Sequence, residues 1–101
     1  LESLRKSYLL QASHPEFRDF RTKIPMMATW DDHDFGLNDA GASFPMRRWG
    51  EALFESFWRS SDAVKARPGV YESTITGPEG RRVQVILLDT RFFRSDLKRV
   101  A

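Results

Sequence analysis

The sequence predicts an α/β chain. Three observations carry that prediction. Apolar residues recur at helical spacing over 1–12 and again over 47–60. Ile24-Pro25-Met26-Met27-Ala28-Thr29-Trp30 is an apolar run of strand length, and two stretches rich in β-branched residues, 70–76 and 82–88, flank Gly77-Pro78-Glu79-Gly80. Helical and extended patterns therefore interleave along 101 residues, the length of one small domain or of a piece of a larger one.

Each element has its own local reason. In the first helix Leu1, Leu4 and Tyr8 fall on one face, and Leu9 widens the stripe. Ser13-His14-Pro15 interrupts it, and Pro15 suits the first turn of a second helix running to about Arg21. His14, alone at that break, reads as a structural or exposed residue and not as a ligand. Over 24–30, Pro25 is acceptable at a strand entrance but not in a central ladder, and Met26 and Met27 read as core filler. An irregular acidic loop follows, with Gly36, Gly41 and an Asn38-Asp39 pair suited to tight turns. The helix over 47–60 places Trp49, Leu53, Phe54, Phe57 and Trp58 on a core face, with Arg48, Glu51, Glu55 and Arg59 largely off it. A polar link over 61–69 ends in Pro68-Gly69 and leads into a hairpin of 70–76 with 82–88. Val83, Val85, Ile86, Leu87 and Leu88 are nearly continuous, the pattern of a strand covered on both faces. Polar residues then emerge at Asp89-Thr90-Arg91.

Composition excludes several classes. Cysteine is absent, which removes disulfides, zinc–thiolate sites and cysteine catalysis. No apolar run approaches the roughly 18–20 residues that span a bilayer, and Glu2, Arg5 and Lys6 interrupt any signal-peptide pattern at the start. Net charge is only +2, too weak alone to indicate nucleic acid. Arg91, Arg94, Lys98 and Arg99 outweigh Asp96 near the end, a solvated strand exit in preference to a nucleic-acid site. A small nucleic-acid-binding module using 91–99 with Phe92 and Phe93 is the weakest alternative.

The densest chemistry lies in Thr29-Trp30-Asp31-Asp32-His33-Asp34-Phe35-Gly36-Leu37-Asn38-Asp39-Ala40-Gly41. Four carboxylates, one imidazole and one carboxamide fall within the nine residues 31–39, with no Lys or Arg among them. Such crowding requires compensation from a metal ion or from basic groups folded in from elsewhere. In an extended segment Asp32 and Asp34 share a direction while Asp31 and His33 take the other, so all four are not direct ligands of one ion. The bland alternative is a solvated turn before the following helix, with Asp31 or Asp39 as a cap. Against it, Trp30 and Phe35 set the acids beside a hydrophobic wall. The order of residues is not that of an EF-hand.

That block, together with Pro68-Gly69-Val70-Tyr71 and Gln84-Val85-Ile86-Leu87-Leu88-Asp89-Thr90-Arg91-Phe92-Phe93-Arg94, closely resembles the PhoD-like alkaline phosphatase/phosphodiesterase family of calcineurin-like metallophosphoesterases. The resemblance implies a four-layer αββα sandwich, of which residues 1–101 are an internal fragment of the single catalytic domain. Asp31-Asp32-His33-Asp34 stands where the wider superfamily has Gly-Asn-His-Asp/Glu. Asp32 then corresponds to a metal ligand, and His33 to the catalytic imidazole that meets the phosphoryl oxygen or the leaving group. Asp31, Asp34, Asn38 and Asp39 take supporting roles, and Arg91 and Arg94 are candidate phosphate contacts. The implied cofactors are two or more metal ions drawn from Fe, Ca, Mn or Zn. The implied partners are a phosphate mono- or diester and the remainder of the catalytic domain, in an extracytoplasmic or membrane-associated setting.

The superfamily's Asp-x-His, Gly-Asp-x-x-Asp and Gly-His-x-His motifs do not occur here, and His14 and His33 are the only histidines. The isolated chain is therefore expected to be inactive, holding one arm of a site. A non-catalytic ion- or anion-binding fragment, or a degenerate relative, is the alternative.

Overall fold

The computed structural model describes residues 2–98. The expectations placed on Leu1 and Arg99 fall outside that range. Helices α1 (Glu2–Ser13), α2 (Pro15–Lys23), α3 (Asp32–Phe35), α4 (Arg47–Trp58) and α5 (Asp62–Lys65) precede strands β1 (Glu72–Thr76) and β2 (Val83–Leu87). The chain is thus mixed helix and strand, with one two-stranded antiparallel sheet whose register runs from Glu72↔Leu87 to Thr76↔Val83.

Pro15 sits in the first turn of α2, where its missing N–H has no helical partner to lose. His14 occupies the N-cap position, exposed and without a side-chain cap bond. α4 ends at Arg59, whose left-handed φ of 55° lets Ser60 N–H close onto the Glu55 carbonyl at 2.9 Å. Within the expected polar link, Ser61 caps α5 by accepting the Val64 N–H at 3.3 Å, and Val64 is buried.

The segment 24–30 is not a strand, a correction to the expected element. No backbone ladder joins it to the hairpin among the described residues. Pro25 has no N–H to donate. Its links to the hairpin end are instead made by side chains. Thr29 Oγ1 donates to the Leu88 carbonyl at 2.9 Å and Trp30 Nε1 donates to Asp89 Oδ1 at 2.8 Å. Met26 is exposed and Met27 only half-buried, so neither is core filler.

The core is largely aromatic. Trp30, Phe35, Phe44, Phe54, Val70 and Phe92 form one buried cluster, with Ala28, Ala40 and Trp58 packed against it. The Trp30 and Phe35 rings meet edge-on at 4.9 Å, which places the core directly beneath the acidic residues. Phe54 is the only member of the expected α4 face that is fully enclosed. Trp49, Leu53, Phe57 and Trp58 are half-buried, and Phe57 and Trp58 turn instead toward α1 and α2, against Tyr8 and Phe17.

Glu51 and Glu55, expected off that face, are buried at 4% and 7% exposure. The reason is the neighbour: Glu51 Oε2 accepts the Gly69 N–H at 3.3 Å, so the Gly69-Val70 turn packs on this side of α4. Gly50 permits the approach on the α3 side, where a Cβ would lie 2.5 Å from the Phe35 carbonyl oxygen.

β2 reverses its expectation. Val83, Ile86 and Leu88 are 58%, 59% and 67% exposed, and Leu87 alone on the strand is half-buried. Its sequence has the pattern of a central strand, yet the described residues provide a layer on neither face of the hairpin. Among them, no helix is long and apolar enough to cross a membrane.

Candidate functional site

The acids do not lie on an extended segment. Asp31 N-caps α3, and Asp34 reaches back to accept the Asp31 N–H at 2.7 Å, the returning half of a capping box. One helical turn regroups the side chains. Asp31 pairs with Asp34 and Asp32 with His33, not in the alternate order that a strand would impose. The bland expectation was correct in one respect: Asp31 is a cap, though of α3 and not of the longer helix.

Within the acidic block Asp32 is the best-held carboxylate. Its Oδ2 accepts the Asp39 N–H at 3.0 Å and its Oδ1 accepts the His33 N–H at 3.0 Å. The Asp39 N–H holds its pKa below the ordinary carboxylate range, with smaller help from His33 and Arg91, so Asp32 is ionised. Asp34 is shifted the other way, because burial disfavours its charge. Asp39, at φ 57°, turns the chain back so that its own N–H faces Asp32.

His33 projects into solvent, its side chain 79% exposed. Its Nε2 lies 3.1 Å from Asn38 Oδ1 and 3.8 Å from Asp32 Oδ2. Asn38 donates through Nδ2 to Asp39 Oδ2 at 3.1 Å, which leaves Oδ1 as the acceptor. His33 Nε2 is thus directed at the Asp32–Asn38 side.

The compensating charge comes from the far end of the chain. Arg91 Nη2 donates to Asp31 Oδ1 at 2.6 Å, and this contact raises the Arg91 pKa. Arg94 Nη2 donates to the carbonyls of Asp39 and Ala40. The Ala42 N–H returns a bond to the Arg94 carbonyl at 2.7 Å. Both arginines thus reach the acidic block, where they clamp it.

The residue that sequence reasoning missed is Asp89. Its Oδ1 accepts from Trp30 Nε1 at 2.8 Å and from the N–H groups of Arg91 and Phe92 at 2.9 Å each. Its Oδ2 accepts the Val70 N–H at 2.9 Å. One carboxylate thereby fixes Trp30, which precedes Asp31, and the turn that carries Arg91. Its position at a strand end beside Arg91 was the only signal, and that signal named no partner.

No family model, curated protein or solved structure matches this chain. Among the described residues no three His, Asp or Glu side chains are grouped to hold a metal ion. Asp32 nevertheless suits a single-ligand contribution, being ionised, rigidly held, and left with a free lone pair on each oxygen after one N–H bond apiece. Of the two aromatics in the nucleic-acid alternative, Phe92 is 2% exposed and belongs to the core, while Phe93 is 54% exposed.

Proposed function

We propose that this chain is one ligand-bearing segment of a PhoD-like, four-layer αββα metallophosphoesterase that hydrolyses phosphate mono- or diesters. The observation that best supports the reading is the joint presentation of ionised Asp32 and exposed His33 on one clamped helical turn. Asp32 would hold one of two or more metal ions, whose ligands otherwise come from outside this chain. When bound, such ions supply an acidified water and charge for the phosphoryl oxygens. His33 donates its Nε2 proton to the phosphoryl or leaving oxygen, and it is exposed enough to meet a substrate. Asn38 fixes the imidazole through Nε2, and Asp39 fixes Asp32 through its N–H. Arg91 keeps Nη1 to offer a phosphate while Nη2 holds Asp31; Arg94 is committed to two carbonyls and supports the loop.

The test uses the intact protein with p-nitrophenyl phosphate and bis(p-nitrophenyl) phosphate, with bound metal counted by mass spectrometry. Asp32→Ala is expected to lose metal and turnover together. His33→Ala is expected to keep its metal and lose about 10²–10⁴-fold in turnover, the usual contribution of a positioned proton donor. Retention of both metal and turnover in Asp32→Ala refutes the proposal. Metal binding by the wild type without any turnover favours the non-catalytic ion-binding reading.

A further inference from the structure

A cleft of about 350 Å³ opens between α1 and α4 and has His33 at its mouth. Its walls are mostly apolar, from Leu4, Tyr8, Phe57 and Trp58, and Asp34 stands beside His33. The volume falls in the range of about 300–1,000 Å³ usual for small-molecule sites. Inside the aromatic cluster the Tyr8 ring lies 4.7 Å from that of Phe57. The Tyr8 hydroxyl is buried and has no hydrogen-bond partner, an unmet donor in an otherwise greasy wall.

The cleft and the candidate site share two side chains, His33 and Asp34. His33 faces Asp32 and Asn38 through Nε2 and also borders the apolar walls. Among the described residues no Lys or Arg lines the cleft, so its mostly apolar walls offer a phosphate no cationic partner and suit an uncharged group. We propose that the cleft receives the leaving alcohol of the phosphoric ester and selects apolar, ring-bearing alcohols; this rests on the hydrolase reading above. In the step itself a water oxygen bonds to phosphorus and the phosphorus–oxygen bond to the alcohol breaks. The leaving oxygen takes the His33 Nε2 proton, and the proton lost by the water restores His33. The neutral alcohol is then released against Tyr8 and Trp58.

The experiment compares benzyl phosphate with ethyl phosphate on the intact protein, since their alcohols are of similar acidity and differ mainly in the ring. Wild type is expected to favour the benzyl ester in kcat/KM by about tenfold or more, the discrimination expected of an apolar pocket. Leu4→Lys places a charge in the wall and is expected to bring the ratio towards one. Ser7→Trp, at an exposed position on the rim, blocks the cleft without touching the core and is expected to do the same. Calorimetry adds a readout free of turnover: benzylphosphonate is expected to bind about tenfold tighter than methylphosphonate. Hydrolysis of both esters with equal kcat/KM, or a ratio unmoved by both variants, overturns the cleft and leaves the hydrolase standing. Equal affinity for the two phosphonates also overturns it. If no ester is hydrolysed, yet benzylphosphonate binds preferentially and Ser7→Trp abolishes the preference, the cleft stands and the hydrolase reading falls.

Discussion

The buried pair on α4 makes stability fall with rising pH, and Glu55→Gln should remove that fall. Glu51 and Glu55 are one helical turn apart and almost fully enclosed, with Glu55 Oε1 lacking any partner. Burial, reinforced by the charge of Glu51, pushes the Glu55 carboxyl up from 4.5 to about 7, and Lys65 and Arg48 offset only part of this. The folded state therefore keeps a proton that the unfolded state releases above its own value. The associated stability is full below pH 4.5 and is lost as pH rises through about 7. At about 1.4 kcal/mol per pH unit, the interval sets a ceiling of about 3 kcal/mol, and relaxation around a group this close to the surface reduces the expectation to about 2 kcal/mol.

The assay is urea unfolding of wild type and Glu55→Gln at intervals from pH 4.5 to 8. The difference between the two curves isolates this site from histidines and surface acids. Gln mimics the protonated carboxyl, so the variant should match wild type near pH 4.5 and exceed its stability by about 2 kcal/mol at pH 8. Parallel curves across the whole range would show instead that Glu55 titrates alike in the folded and unfolded chain.

Other substitutions separate anchoring contacts from decorative ones. Asp89→Ala leaves Trp30 Nε1 and three backbone N–H groups without their acceptor and should cost about 3 kcal/mol in the same assay. Asp31→Ala, which breaks the contact with Arg91 at a side chain 80% exposed, should cost less than about 1 kcal/mol. Gly50→Ala would ordinarily favour a helix by about 1 kcal/mol. Here it should destabilise instead, because the new Cβ meets the Phe35 carbonyl at 2.5 Å; an increase in melting temperature would contradict the packing described for α3 on α4.

Local patterns were legible where local causes decide. Pro15 opens α2, Gly77 and Gly80 bend the hairpin, and the apolar spacing over 47–60 yields α4. Expectations failed where a distant partner decides. The run at 24–30 has the composition of a strand, but ladder partners are not a property of the run. Periodicity put Glu51 outside, yet the Gly69 N–H, 18 residues on, draws it inside. β2 is the opposite case: its composition implies cover on both faces, and no other described element supplies it.

The same distinction governs the acidic block. Counting charges over 31–39 identifies a site but cannot apportion it, because the arginines that answer it lie 55 to 60 residues away. Once they are placed, the carboxylates are no longer equivalent. Asp31 is committed to Arg91, Asp34 to the Asp31 N–H, and Asp39 to Asn38. Asp32 accepts two backbone N–H bonds, donors that hold it ionised without cancelling its charge, whereas burial shifts Asp34 the other way. Of the four acids, Asp32 is thus the one that backbone donors hold ionised, beside the exposed imidazole of His33. Under the proposed reading, that asymmetry, and not the number of acids, makes Asp32 the residue that would meet a cation.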